Sequence, residues 1–217
     1  DCLHTLRYST ADDRRFAYWD AVAHAREIYR ASIRHGLDGH EMVQSTTSLA
    51  VTLRHFRDQV ADGIARAETY ATDGVPVTYF RYEVTDYVQL AEHDAAGRPY
   101  VEPLAFEPHP LPPFLEGPVH ALKVAPDRAA AAAIHHAVLA SDLYDHKLRM
   151  FKVNASLATE GDEIGRAGAF TPGWLENESI WMHMAYKYLL ELLNAGLHDD
   201  FFTALRDGLI PFQDPAR

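Results

Sequence analysis

Cysteine is nearly missing from this chain. Cys2 stands alone among 217 residues, which excludes an internal disulfide framework and any zinc site built on thiolates. Cations are also short: Lys and Arg number 20 against 31 Asp and Glu, a formal net charge of −11. A nucleic-acid grip or an anionic-membrane anchor needs the opposite balance, so neither partner is expected. Long apolar runs are absent. The stretch Ala129 to Ala133 is closed off by Arg128 and His135, far short of the roughly 18 residues that span a bilayer. Thirteen histidines are present, yet none falls in a His-Glu-x-x-His pattern, and the adjacent His135 and His136 point apart on a helix. A structural calcium or no metal at all is left, and the expectation for the functional site is no metal and no cofactor. Asp12-Asp13 and Asp199-Asp200 lack the further aspartate that the acidic motifs of helical terpene synthases need, and no glycine-rich loop fits a P-loop or a dinucleotide cradle.

The residues that are present, 47% hydrophobic and 24% charged, suit an ordinary globular protein of one large or two small domains. The chain opens at Asp1 without a methionine and stops on the turn-like Asp214-Pro215-Ala216-Arg217, which reads as a piece excised from something longer. Apolar residues at helical spacing predict a helix over 11–35, with Ser9 or Thr10 as its cap and Gly36 as its end. A second is expected over 46–70, with Leu49, Leu53, Phe56, Val60 and Ile64 on one face. The β-branched and aromatic run 77–90 predicts a strand, 94–97 a turn and 100–106 a returning strand. Six prolines between 103 and 118 predict a stiff extended loop over 102–118. Helix is expected again from Pro126 to about Ala140, in a short segment begun by Ser141-Asp142 that includes Leu143, Leu148 and Met150, from Glu176 to Ala195 before Gly196, and from Asp199 to Leu209. These pairs predict a mainly α array carrying a small β element.

Four stretches then resemble a known group. Tyr144 to Leu157, and the run Gly168-Ala-Phe-Thr-Pro-Gly-Trp-Leu-Glu-Asn-Glu-Ser-Ile-Trp-Met-His183, are similar to cellobiose-phosphorylase-like proteins of the six-hairpin glycosidase group; so are Phe114 to Val119 and Thr78 to Val84. The resemblance implies that residues 1–217 are the late portion of a single (α/α)6 toroid, with 77–118 as a β-hairpin and Pro-rich loop insertion. It implies an oligosaccharide substrate of glucan type, inorganic phosphate as co-substrate if the enzyme is a phosphorylase, and upstream domains of the same longer chain as partners. A homodimer is left open, and the expected location is the cytoplasm. The Asp-Trp-Asn segment that carries the general acid of cellobiose phosphorylases is missing, and Gly168-Ala-Phe-Thr-Pro172 stands where those enzymes have Gly-Ile-Phe-Asn-His.

Glycosyl transfer to water needs an acid and a second carboxylate, whereas inverting transfer to phosphate needs only the acid. Glu176 and Glu178, flanking Asn177 at the expected helix start, are the candidate catalytic carboxylates; the bland alternative is that both complement a helix dipole. Two residues apart, they cannot share a helical face. Trp174, Thr171, Trp181 and His183 are the candidate substrate-binding residues. Trp174 lies in a Pro-Gly turn and suits sugar stacking, while Trp181 and His183 are as readily structural. Asn154, Glu116, Glu83 and Asp86 lie in the resembling segments, Glu116 as a candidate acceptor for loop N–H groups. The alternatives to an enzyme are a non-catalytic helical glycan-binding module and a plain scaffold. An enzyme needs a concave cleft lined by Trp174 and carboxylates, a binding module needs aromatics without a buried carboxylate, and a scaffold needs both tryptophans fully buried.

Overall fold

A computed structural model describes residues 15–216 apart from Asp38 and His40. The expected cap at Ser9 or Thr10, the pair Asp12-Asp13 and Cys2 lie outside the described residues. The chain divides into two compact units: Asp1–Arg66 with Tyr82–Glu107, and Ala67–Arg81 with Pro108–Arg217.

The first unit carries helix α1 (Arg15–Ser32), nearly all of α2 (Thr46–Glu68) and most of a long hairpin of β1 (Phe80–His93) and β2 (Pro99–Pro110). Ser45 starts α2 by accepting a hydrogen bond from the Ser48 amide at 3.0 Å, which satisfies one of the free N–H groups of the first turn. The hairpin turn is built by Asp94, whose Oδ1 accepts from the Ala96 and Arg98 amides, and by Gly97 at φ 81°, where a side chain would be strained. The first strand is shifted three residues past the expected 77–90, and the second outruns the expected 100–106 at both ends. Pro103, Pro108 and Pro110 lie inside β2, because a strand in a two-stranded ribbon has an outer edge where no N–H is required.

The second unit holds a core formed by Val75, Leu115, Val119, Leu122, Val138, Phe151, Tyr188 and Leu192, among others. Around it lie α3 (Glu116–Val124), α4 (Arg128–Ala140), the four-residue α5 (Arg166–Ala169), α6 (Met182–Asn194) and α7 (His198–Gly208), with a two-residue ribbon of β3 (Tyr144–Asp145) and β4 (Met150–Phe151). Asp127 caps α4 by accepting from the Ala130 amide at 2.8 Å. Gly196, at φ 77°, ends α6: its N–H reaches Leu193 O, and Leu197 N–H reaches Leu192 O, which satisfies the last carbonyls. Gly117 permits α3 to approach the chain before β1, because a Cβ there would sit 2.7 Å from Pro76 O.

Several expectations are corrected. The architecture is mixed rather than mainly α: among the described residues, about 47% of them helical, seven helices stand beside two small antiparallel sheets, and the expected (α/α)6 toroid is not shown. The stretch 102–118 expected to be a loop contains the end of β2 and the start of α3; Pro118 is accommodated in the helix's first turn, where its missing N–H costs nothing. The helix expected after Ser141-Asp142 is instead the β3–β4 hairpin, with Tyr144 opposite Phe151 and Asp145 opposite Met150. Asp145 turns the chain by accepting from the Lys147 and Leu148 amides. The helix expected from Glu176 begins only at Met182, because Leu175 and Glu178 adopt φ 48° and 55°, values no right-handed helix contains.

Candidate functional site

The segment from Phe170 to Trp181 runs irregularly into α6, and its shape is fixed from outside. Phe114 bridges Asn154, and the Val153 amide donates to Ser179 O at 2.7 Å, so three extended stretches lie side by side. Asn154, fully buried, completes the pairing with its side chain: Nδ2 donates to Glu176 O at 2.5 Å, and Oδ1 accepts from the Glu178 amide at 2.6 Å. One amide thus clamps the backbone on both sides of Asn177. Asn177 does the same inward, with Nδ2 donating to Phe170 O at 2.7 Å and its own carbonyl accepting from the Gly173 amide at 2.8 Å. Ser179 Oγ closes the turn on Leu175 O.

The two candidate carboxylates have different surroundings. Glu178 Oε2 accepts from Lys152 Nζ at 3.1 Å, and the same ammonium donates to Asp142 Oδ1 at 2.7 Å. Burial would pull the Lys152 ammonium down, but hydrogen bonds and charge from Asp142 and Glu178 overcome it and raise its pKa. Burial would likewise push the Asp142 carboxyl up, yet Lys152 and the Ser156 amide hold it below its ordinary value. Glu178 is therefore part of a structural ion network. Glu176 instead meets Arg166, whose Nη2 donates to Oε1 at 3.2 Å, while Oε2 is buried without a hydrogen-bond partner. Neither residue lies in the first turn of α6, so neither serves as its dipole partner.

Trp174 is 60% exposed and meets Phe170 edge-on, with ring centroids 5.5 Å apart. Arg166 lies 6.0 Å over the Phe170 ring, so Arg166, Phe170, Trp174 and Glu176 join in one chain of contacts. Thr171 is exposed, and its carbonyl accepts from the Trp174 amide. Trp181 is half-buried against the core, and His183, exposed, lies 5.4 Å from its ring. The arrangement thus brings together Glu176, Trp174 and Thr171, whereas Trp181 and His183 belong to the start of α6. The scaffold condition, both indoles fully buried, is not met. Glu116 is not the acceptor for loop N–H groups that its position suggested; its Oε2 accepts from Tyr79 Oη at 2.5 Å, which pushes the phenol to about 12, with burial and the carboxylate charge adding.

Arg166, Phe170, Lys152 and Asp142 were not foreseen. Arg166 and Phe170 lie in the Gly-rich stretch before Pro172, where no periodicity exists to place a side chain. Lys152 alternates with the buried Phe151 and Val153, a pattern that signals an outward lysine rather than the buried one observed. Among the described residues no group of three or more His, Cys, Asp or Glu side chains is placed to hold a metal ion, and no helix is long and apolar enough to cross a membrane. No protein-family model matches the chain, and no curated protein matches it.

Proposed function

We propose that this chain is the sugar-handling part of a carbohydrate-active enzyme, a glycoside phosphorylase or hydrolase acting on glucan-like oligosaccharides. The observation that carries this reading is the exposed Trp174 ring, held by Phe170 on a clamped loop beside the Arg166–Glu176 pair. An indole face offers an apolar platform to the C–H face of a sugar ring, and a guanidinium with a carboxylate supplies the donors and acceptors that hydroxyl groups require. Glu176 is the carboxylate assigned to acid work, because Glu178 is committed to Lys152. Inorganic phosphate is the co-substrate if transfer goes to phosphate; otherwise water is the acceptor. The resemblance of Phe170 to Trp181 to cellobiose-phosphorylase-like proteins supports the substrate class.

One observation favours a second reading, a glycan-binding module without turnover: the Trp174 ring is 60% exposed, as suits a surface platform for a glycan. One experiment separates the two. The protein is assayed on cello-oligosaccharides with and without phosphate, and Glu176→Gln is expected to cut kcat on the order of 10²-fold while binding persists. If Glu176→Gln turns over normally, the acid lies elsewhere; if the parent binds but releases no product, the binding module stands.

A further inference from the structure

In the second unit the ends of α3 and α6 meet the start of α4 around a cavity of ≈ 270 Å³ that takes no lining residue from the Phe170–Trp181 loop. Its polar lining is Lys123, Asp127, Arg128, Glu191 and Asn194. Leu122 and Ala125 add apolar surface.

Glu191 is the informative residue. It is only 5% exposed, yet its bonds are long: Lys123 Nζ lies 3.7 Å from Oε1, and Asn194 Nδ2 donates to Oε2 at 3.3 Å. A carboxylate has about four acceptor positions, so Glu191 retains capacity for a further donor. Lys123 is half-exposed and carries more N–H groups than its one contact with Glu191 uses, and Arg128, also lining the cavity, is exposed. Asp127 has given Oδ1 to the α4 cap.

Two cations and two carboxylates cancel, and the cancellation restricts the ligand. A phosphate or other polyanion entering the cavity would meet Glu191 and Asp127 at close range. An organic ammonium would meet Lys123 and Arg128. A neutral polyhydroxyl ligand avoids both conflicts, because each hydroxyl donates to Glu191 and accepts from Lys123, Arg128 or Asn194. The volume lies just under the range of small-molecule pockets and suits one sugar ring rather than a chain of them.

We infer that this cavity is a second saccharide site, selective for a single neutral sugar ring and independent of the Trp174 loop. No aromatic residue is among its lining, so recognition rests on hydrogen bonds and orientation rather than on stacking.

The test uses glucose as probe in a ligand-observed NMR titration, with Trp174→Ala to silence the loop. Saturable glucose binding is expected to survive in Trp174→Ala. Adding Arg128→Ala and Asn194→Ala on that background should weaken it about 10-fold or more, the loss expected when several polar contacts go. Both substitutions are on surface-accessible positions, and the melting temperature is the control that folding is intact. Glycine and inorganic phosphate are expected not to displace the sugar. The inference is overturned if Trp174→Ala abolishes all binding, if the Arg128/Asn194 variant binds like its parent, or if phosphate or glycine competes. Should Trp174→Ala leave all binding unchanged while the Arg128/Asn194 variant loses it, the loop reading fails and this site stands.

Discussion

In α6, Met184, Tyr188 and Leu192 recur every fourth residue, and all three are buried. In α2, Leu49, Leu53, Val60 and Ile64 recur at similar spacing, and no residue of that helix is buried; Leu53 is 55% and Val60 62% exposed. The two helices carry the same kind of periodic signal. The difference is that α6 packs against α3 and α7 within its own unit, whereas among the described residues of α2 none is buried by a neighbouring element. Its hairpin repeats the theme, with Tyr82, Tyr87, Val88 and Leu104 exposed. Helical period thus reports which face of an element is apolar and leaves open what covers it. Burial, worth about 25 cal/mol per Å², is where the stability lies, so the second unit is expected to hold most of it.

The largest effect that can break this comparison is in the core. Leu192→Ala is expected to cost about 2–5 kcal/mol, the range for a large-to-small change with a residual cavity. Val60→Ala should stay within about 0.5 kcal/mol, as for surface positions generally. Urea unfolding of both variants gives the two numbers. A Val60→Ala cost as large as that of Leu192→Ala would mean that α2 is covered in solution, and the contrast between the units would disappear.

The next effect lies at the loop clamp. Asn154→Ala leaves the Glu178 N–H and the Glu176 carbonyl without their partner in a buried place, and each such orphan costs about 1–3 kcal/mol. We expect a loss of about 2–4 kcal/mol and faster hydrogen exchange at the Glu178 amide. An unchanged exchange rate would show that the loop holds its shape without Asn154.

This clamp also marks the limit of what was legible in the sequence. The helices around Thr46–Glu68, Arg128–Ala140 and His198–Gly208 were readable because their determinants are local: Asp127 and Ser45 cap their own helices, and apolar residues recur within each. The turn at Asp94 to Gly97 was readable for the same reason. The stretches misread are those fixed by distant partners. Residues 175–179 carry a helical pattern, but Asn154, more than 20 residues upstream, holds two of them in an extended pairing that leaves Glu178 at positive φ. The β3–β4 hairpin follows the same logic: the Lys152 amide donates to Leu143 O and the Val153 amide to Ser179 O, bonds no local window reveals. Of the site, Trp174 was legible as a turn residue with a large ring. The division of labour between Glu176 and Glu178 was not, since it depends on Lys152 and Arg166 from elsewhere.

A smaller effect follows from the one imidazole locked in the second unit's core. His135 is 2% exposed; its Nδ1 lies 2.9 Å from Tyr188 Oη, and Nε2 lies 4.0 Å from Asp200. Burial pulls the imidazole below its ordinary 6.5, Asp200 pushes partly back and His136 pulls further down. The folded state therefore binds fewer protons than the unfolded state just below pH 6.5. The contribution is complete above that pH and is lost as pH falls through 6.5 toward the depressed folded value. Thermal melts from pH 7.5 to 5.5 should show falling stability on the acid side, and His135→Phe should flatten that part of the curve. A slope unchanged in His135→Phe would assign it to other groups.

A small stability effect is also expected at Trp174, and it sharpens the comparison because it sets two exposed apolar residues against each other. Trp174 and Val60 are 60% and 62% exposed, so accessibility alone does not separate them. Trp174 differs in being held: Phe170 meets its ring edge-on, and the Thr171 and Asn177 backbones pin its own. Removing the ring gives up one aromatic contact, so Trp174→Ala should lower stability by less than about 1 kcal/mol. Its effect on an oligosaccharide should be larger than its effect on the fold. A stacking platform holds substrate and transition state alike, so KM should rise about 10-fold with kcat nearly unchanged. Val60→Ala should leave both constants where they were. If Trp174→Ala leaves KM unchanged, the indole is as idle as Val60, and the sugar platform must be sought on another surface.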